Sequence, residues 1–309
     1  MSQRSGQEGI ALVVVHYGDM MDTLACCRAI RASSDCGWHR TIIVVDNGTQ
    51  CAASLEHVAD IVISARTNAG YAAGCNLGIS AGLEQRAHYI CILNNDVVIS
   101  PDALIELRAG IERCRDAWAY GGRIAIADGG NRDWYAGGRI NYVLCRADHF
   151  GFNGRSGAMA TDGDVSFIPG AFMLMPASTF ARVGLLDETF FLYGEDVEWC
   201  RRIQRHGGTL RYLTHVKLSH RVERRLRRYS PGYLFYVTRN RIAAFGRNGW
   251  VYRCYVVVFC TLWHGAARTI VEAIRNRGMR WMTARAVLTG TLAGLQGGMG
   301  PEREYSPDA

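Results

Sequence analysis

Carboxylates and amides gather where apolar runs end. "ICILNNDVVIS", residues 90–100, stops on Asn94, Asn95 and Asp96. A strand that delivers a carboxylate to its carboxyl end is a common way to hold a cation or a phosphate. The neighbours here are amides, so Asp96 needs help from elsewhere. Three other runs end in polar residues: His16-Tyr17 after "IALVVV", Asp46-Asn47 within "TIIVVDN", and Asn68 shortly after "DIVI". A single Asp after a strand is most often a turn or cap residue. Four polar ends together carry more information, because open α/β sheets bind ligands at the carboxyl ends of their strands. Two further acids, Glu195 and Asp196, stand in "FFLYGEDVEWCRRI". They could simply complement a helix dipole as first-turn residues. The aromatic approach also lowers the local dielectric, which raises a carboxylate pKa toward a range useful for proton transfer.

The elements that must position these groups are legible in the apolar pattern. "IALVVV" (10–15), "TIIVVD" (41–46), "DIVI" (60–63) and "HYICIL" (88–93) are continuous apolar strands, of the kind buried on both faces of a parallel sheet. "MDTLACCRAIR" between the first two spaces Leu24, Cys27 and Ile30 for a helix, with Asp22 placed to cap it. After the fourth strand, Ser100 can cap a helix that has Pro101 in its first turn and Leu104, Leu107, Ile111 and Cys114 as its stripe. This βαβ series predicts an α/β fold with a mostly parallel sheet. Residues 128–166 are glycine-rich and without period, as expected of a functional loop or lid. Asp162 and Asp164 read there as solvated loop acids. Strand character resumes in "VSFIPGAFMLM" (165–175). A helix follows on Val197, Cys200 and Ile203, with Trp199 read as packing, and "TLRYLTHVKLSH" (209–220) is a strand that ends on His220.

Charge divides the chain. Residues 1–196 hold 15 Arg against 22 acids, net −7, and residues 197–309 hold 20 Lys plus Arg against 6 acids, net +14, which together give the overall +7. A basic carboxyl-terminal third suits an anionic partner. Nucleic acid would satisfy that charge, yet no recognition motif accompanies it. The 11 cysteines include no C-x-x-C pair and read as buried, reduced thiols. No signal peptide is visible in the polar "MSQRSGQEGI", so none is expected, and no run reaches the roughly 18 apolar residues of a membrane span. A cytoplasmic protein is expected. From about residue 230 the pattern is helical, with Arg, Trp and Tyr beside Val and Leu. That suits either a packed cap or a surface lying on lipid headgroups.

The order of motifs resembles the inverting family-two glycosyltransferases, closest to their bacterial rhamnosyltransferase-like branch. "VVVHYGDMMDTLACCRAI", "IIVVDNGT", "NAGYAAGCNLGI", "YICILNNDVVISPDAL", "PGAFMLMPASTFARVGLLDETFFLYGEDVEWCRRI" and "VKLSHR" carry the likeness, with "YAGGRIN" and "YVTRNRI" beside them, over roughly residues 10–245. The resemblance implies a GT-A fold, a nucleotide-diphosphate-sugar donor, Mg2+ or Mn2+, and inversion at the sugar carbon. It implies that Tyr17 and Asp46 hold the base with Asn47 beside them. The segment Asn68, Gly70, Tyr71 to Asn76 would pass under base and ribose, with Gly70 and Gly74 admitting close approach. Asn95 and Asp96 would take the DxD-like place, His220 would be a second metal ligand, Asp196 the base, and Glu195 a contact to acceptor or sugar hydroxyls. Asn94 departs from the two-carboxylate form of that motif, and Gly18 replaces a frequent asparagine.

The resulting expectation is an enzyme that uses dTDP-rhamnose, or else a UDP-sugar, to extend a polyprenyl-pyrophosphate-linked saccharide of the bacterial envelope. It would act peripherally at the inner face of the plasma membrane and bind no nucleic acid. Residues 1–230 would form the catalytic domain and 231–309 a helical region, with "RVERRLRRY" (221–229) reaching phosphate and membrane. The competing expectation is a non-catalytic sugar-nucleotide-binding subunit that docks another transferase. A nucleotidyltransferase is disfavoured because Lys217 is the one lysine and no amino-terminal phosphate loop contains it.

Overall fold

A computed structural model describes residues 8–127, 132–152, 154, 157–221, 230–246, 249–259, 265–267 and 280–305. The segment 222–229, expected to reach phosphate and membrane, lies outside them, as do parts of the expected lid (128–131, 153, 155–156) and Cys260. The four apolar runs are strands β1 (Gly9–His16), β2 (His39–Asn47), β3 (Ile61–Ala65) and β4 (Tyr89–Asn94). Helices α1 (Met20–Ala32) and α2 (Tyr71–Glu84) provide crossovers between them. Strand β1 pairs in parallel with both β2 and β4, and β2 with β3. The register sets His16 opposite Asp46 and Val15 opposite Asn94, so the polar strand ends lie side by side. Ile10 to Val14 and Ile42 to Val45 are almost wholly buried. Each buried Val, Leu or Ile contributes about 1.5–3 kcal/mol, and continuous burial on both faces explains why these runs carry no polar alternation.

The second half completes the sheet with elements the periodicity does not show. Short β5 (Val97–Ile99) follows Asp96, then come α3 (Ala103–Arg113) and β6 (Ala119–Ile126). Strand β11 (Phe172–Pro176) runs antiparallel between β4 and β6, and β12 (Leu210–His220) lies parallel to β6. The sheet order is β10 (Gly163–Val165), β12, β6, β11, β4, β1, β2, β3. Between β11 and β12 lie α4 (Ala177–Val183) and α5 (Glu195–Arg205).

The expected irregular loop is corrected. It contains β7 (Asp133–Tyr135) on β6, the hairpin β8 (Gly138–Asn141) and β9 (Arg146–His149), and β10 (Gly163–Val165) on β12. Strands this short carry too few residues for a period to register. Asp164 is solvated as expected, at 71% exposure, though it lies in a strand and pairs with Arg211 at 2.7 Å, whereas Asp162 is only 21% exposed and pairs with Arg113 at 2.8 Å. Two helix starts also differ. Asp19 caps α1, accepting from the Met21 amide at 2.8 Å, and Asp22 sits in the first turn and pairs with Arg221 at 2.6 Å. Helix α3 begins after Asp102, while Ser100 contributes its carbonyl to the Ala103 amide.

Helices α6 (Pro231–Gly246), α7 (Trp250–Val258) and α8 (Arg280–Gln296) follow. Ile242, Ala244, Phe245 and Val256 join the core of the sheet. Leu234, Phe235 and Tyr236 form a smaller cluster with Phe191 and with Ala286 and Val287 of α8. All ten described cysteines are free, and no disulfide forms among them.

Candidate active site

Residues after β2 and β3 build one side of the crevice. Asp46 is fully buried, and its carboxylate accepts from Thr49 N (2.9 Å), Thr49 Oγ1 (2.6 Å) and Cys51 N (2.7 Å). It shapes the loop after β2 through its own turn. The Asn47 amide donates to Asn68 Oδ1 and to the Gly70 carbonyl, both at 3.1 Å, and Asn68 Oδ1 also accepts from Gly70 N at 3.0 Å. What approaches Gly70 is the chain itself: a Cβ there would lie 2.3 Å from the Phe191 carbonyl oxygen, at φ 98°. Gly74 likewise makes room for Val15. Both glycines thus permit close approach within the fold itself. Asn76 is buried on the far side of α2. Its side chain exchanges bonds with Leu186 N and O (3.0 and 2.9 Å) and donates to Glu188 at 2.8 Å. It locks α2 to the segment that precedes the "GED" helix.

The strand-end acid finds its partner. Pairing of β5 with β12 sets Val97 opposite His220, so Asp96 Oδ1 lies 3.0 Å from His220 Nε2. Asp96 keeps 29% of its side-chain surface, and His220 10%. His220 Nδ1 is buried with no hydrogen-bond partner among the described residues. Among the described residues no group of three or more His, Cys, Asp or Glu could hold a metal. A carboxylate and an imidazole on an open side do fit a Mg2+ or Mn2+ that takes its remaining ligands from phosphate and water. Asn95 turns the other way: its amide donates to Thr23 Oγ1 (3.0 Å) and the Tyr17 carbonyl (3.3 Å). Thr23 in turn meets His16 Nδ1 at 2.6 Å. Asn95 thereby fixes the β1–α1 junction that carries half-buried Tyr17.

Glu195 and Asp196 open α5 behind two left-handed residues, Tyr193 (φ 67°) and Gly194 (φ 90°). A tyrosine in that region is held there by its surroundings. Asn240 of α6 does the holding, donating to the carbonyls of Leu192 (2.8 Å) and Tyr193 (2.5 Å). Asp196 Oδ2 accepts from Gly170 N at 3.1 Å, and Oδ1 from Val197 N at 2.8 Å. The adjoining Ala171 carbonyl accepts from Asn94 N at 3.1 Å. One short segment therefore joins the end of β4 to the acid pair. Tyr71 closes the cluster, with its hydroxyl on the Gly170 carbonyl at 2.7 Å and its amide on the Phe191 carbonyl at 2.9 Å.

The two acids differ in surroundings. Burial raises the pKa of both, and the Asp196 charge raises Glu195 further. Glu195 Oε2 is buried with no partner among the described residues, whereas the two backbone amides on Asp196 favour its charged form. The amides favour the charged form of Asp196, while burial and the Asp196 charge favour the neutral form of Glu195. Trp199 is packing, as read from the sequence: it is 1% exposed, faces Phe180 and donates to the Gly184 carbonyl at 3.3 Å.

Three further residues belong to the site. Trp134 stands edge-on to His220 (4.7 Å) and to His149 (4.6 Å). Gly170 supplies the amide to Asp196, and Asn240 fixes the approach to α5. Gly170 and Asn240 lie in quoted motifs, "PGAFMLM" and "YVTRNRI". Trp134 lies in the glycine-rich stretch, next to Asp133, which Arg123 grips at 2.7 and 3.0 Å.

Residues 89–295 match Glycosyl transferase family group 2. The chain belongs to that family. In fold it is similar to GalNAc-T7, whose structure holds UDP, GalNAc and Mn2+: the TM-score is 0.58 at 15% identity, over 76% of this chain and 48% of that one. It is also similar to S. aureus TarS, with TM-score 0.51 at 11% identity over 81% of this chain and 42% of that one. Against TarS residues 1–349 the TM-score is 0.52 at 10% identity, over 93% and 80% of the two chains. The chain thus spans about half the length of GalNAc-T7 and of the longer TarS chain. No curated protein matches it. The likeness to solved structures establishes the GT-A fold of this family member, a central mostly parallel sheet with helices on its faces.

Proposed function

We propose that this family member is an inverting, divalent-cation-dependent glycosyltransferase that moves a sugar from a nucleotide diphosphate to a saccharide acceptor. The observation that carries the reading is Asp196: half-buried, raised in pKa by desolvation, held by two backbone amides, and joined through Gly170–Ala171 to the strand end that presents Asp96. The presence of UDP and Mn2+ in the GalNAc-T7 structure supports the donor class and the cation.

In this reading the acceptor hydroxyl gives its proton to Asp196 as its oxygen attacks the anomeric carbon. The bond from that carbon to the diphosphate breaks from the opposite face, and the diphosphate leaves with the electron pair. Glu195, protonated, donates a hydrogen bond from inside the pocket to an acceptor or sugar oxygen. Asp96 and His220 would hold Mg2+ or Mn2+, which supplies Lewis-acid stabilisation of the charge on the leaving diphosphate. The loops carrying Tyr17, Asn47, Asn68 and Tyr71 shape the nucleotide side. The donor is taken as dTDP-rhamnose first and UDP-hexose second. The acceptor is taken as a polyprenyl-pyrophosphate-linked saccharide, met peripherally at the inner face of the plasma membrane. Residues 1–230 would carry donor binding and chemistry, and 231–309 the approach to that acceptor.

The test is a panel of dTDP-rhamnose, UDP-hexoses and GDP-mannose, screened with Mg2+ and Mn2+ for thermal stabilisation. One donor class should raise the transition only with cation present. If none does, the reading fails.

A further inference from the structure

Helix α8 is built inside out. Its inward side chains are small: Thr283, Ala286 and Thr291 are buried along with Val287. A Cβ on Gly290 would lie 2.7 Å from the Phe235 carbonyl oxygen, and one on Gly294 would lie 3.0 Å from that of Arg239. The Gly290-x-x-x-Gly294 pair therefore lets α8 lie against the backbone of α6. The bulky apolar residues point outward instead: Trp281, Met282, Leu288, Leu292 and Leu295 are all exposed. Residues 281, 288, 292 and 295 follow one helical stripe. A helix packed on a soluble domain shows the opposite arrangement. Small residues within the helix contact and large apolar ones outside it is the pattern of helices surrounded by lipid.

Helix α7 repeats the feature. Trp250, Val251, Tyr255 and Val258 are exposed, and the helix contains no acid. It adjoins the end of α8, since Arg253 Nη2 donates to the Gly294 carbonyl at 3.4 Å and also to that of Leu295. It adjoins the β8–β9 hairpin as well, with Tyr255 Oη on the Val143 carbonyl at 2.5 Å. Val143 at the hairpin tip is 69% exposed. Eleven of the fifteen exposed large apolar side chains among the described residues belong to α7, α8 and this tip. Residues 246–300 carry seven arginines and one acid, Glu272. No helix of the described residues is long and apolar enough to cross a membrane.

We propose that the outward faces of α7 and α8, with the tip at Val143, lie in the headgroup region of an anionic bilayer, toward which the net positive charge of residues 246–300 draws the chain. The Gly290–Gly294 contact is already used by α6, so it is not free to pair with a second copy. Excess positive charge favours lipid over a like-charged copy of this chain. The inference gives residues to the peripheral placement proposed above and does not depend on the transfer chemistry.

The experiment is co-sedimentation of the full chain with vesicles of phosphatidylcholine containing about 30% phosphatidylglycerol, and with phosphatidylcholine alone. The anionic vesicles should bind several-fold more protein. Trp281→Glu with Leu288→Gln should lower that binding roughly tenfold or more, with the thermal transition and its shift by nucleotide sugar unchanged. Trp250→Phe with Trp281→Phe, which keeps the fold, should remove the tryptophan fluorescence quenched by brominated lipid. Absence of binding to both vesicles overturns the proposal. So does equal binding by the Glu/Gln variant, or a dimer in light scattering that this variant dissolves. None of these outcomes bears on Asp196 or on the donor panel, so failure here and failure of the transferase reading are separable.

Discussion

Two acidic places share one end of the sheet and differ in nearly everything that decides their chemistry. Asp96 keeps 29% of its side-chain surface, faces an imidazole at 3.0 Å, and stands two residues beyond the end of a strand. Glu195 is buried and Asp196 half-buried at the start of a helix, with desolvation pushing both upward in pKa. The open site can share its oxygens with a cation and phosphates. The closed pair holds a proton, because two adjacent charges in a low-dielectric pocket cannot both persist. In the proposed mechanism charge neutralisation and proton transfer are thus separated in space, although the Gly170–Ala171 segment bonds both to Asp196 and to the strand end that leads to Asp96.

The comparison can be broken at its strongest point with Asp196→Asn. Turnover should fall about 10²–10⁴-fold while donor-induced thermal stabilisation persists; wild-type turnover would remove Asp196 as the base. The wild-type rate should rise with pH along a limb displaced above the ordinary aspartate value of 3.8, because the base works only when deprotonated. Asp96→Asn should do the reverse. Cation-dependent stabilisation by the donor is lost, and the rate drops on the order of 10²-fold, measured by titrating Mn2+ in the thermal assay. Equal cation response in this variant would dissolve the division of labour.

Asn240→Ala tests how the closed pair is positioned. It leaves the carbonyls of Leu192 and Tyr193 without their donor and should lower stability by about 1–3 kcal/mol in urea unfolding, with a smaller loss of rate. Glu195→Gln gives the smallest effect. The folded pKa of Glu195 lies above its ordinary 4.5, so its contribution to stability is complete below that value and is lost as pH rises through the raised one. The glutamine variant should show a flatter decline across that window, read from unfolding midpoints at successive pH values.

Much of this architecture is legible in local pattern. The four parallel strands announce themselves as unbroken apolar runs, and "GEDVEWCRRI" reads as a helix opened by acids. Strands β5 and β7 to β10 are three or four residues long, and their pairing supplies the regularity that their composition lacks. The cap of α1 falls on Asp19 because backbone direction, not residue type, selects between two aspartates three positions apart. Asn76 matched a nucleotide motif yet bonds to the Leu186 peptide, which no spacing rule could reveal.

The amino-acid sequence by itself determined a mostly parallel α/β sheet, polar residues at its strand ends, an acid pair opening a helix, and a basic, apolar carboxyl-terminal third. These follow from periodicity and composition, which act over a few residues along the chain. Only the tertiary structure decided that His220 meets Asp96, and that Gly170 and Asn240 grip the acid pair and its approach. Only it turned the large side chains of α7 and α8 outward. Hydrogen bonds, desolvation and shared charge depend on neighbours in space, and those neighbours come from segments far apart in the chain.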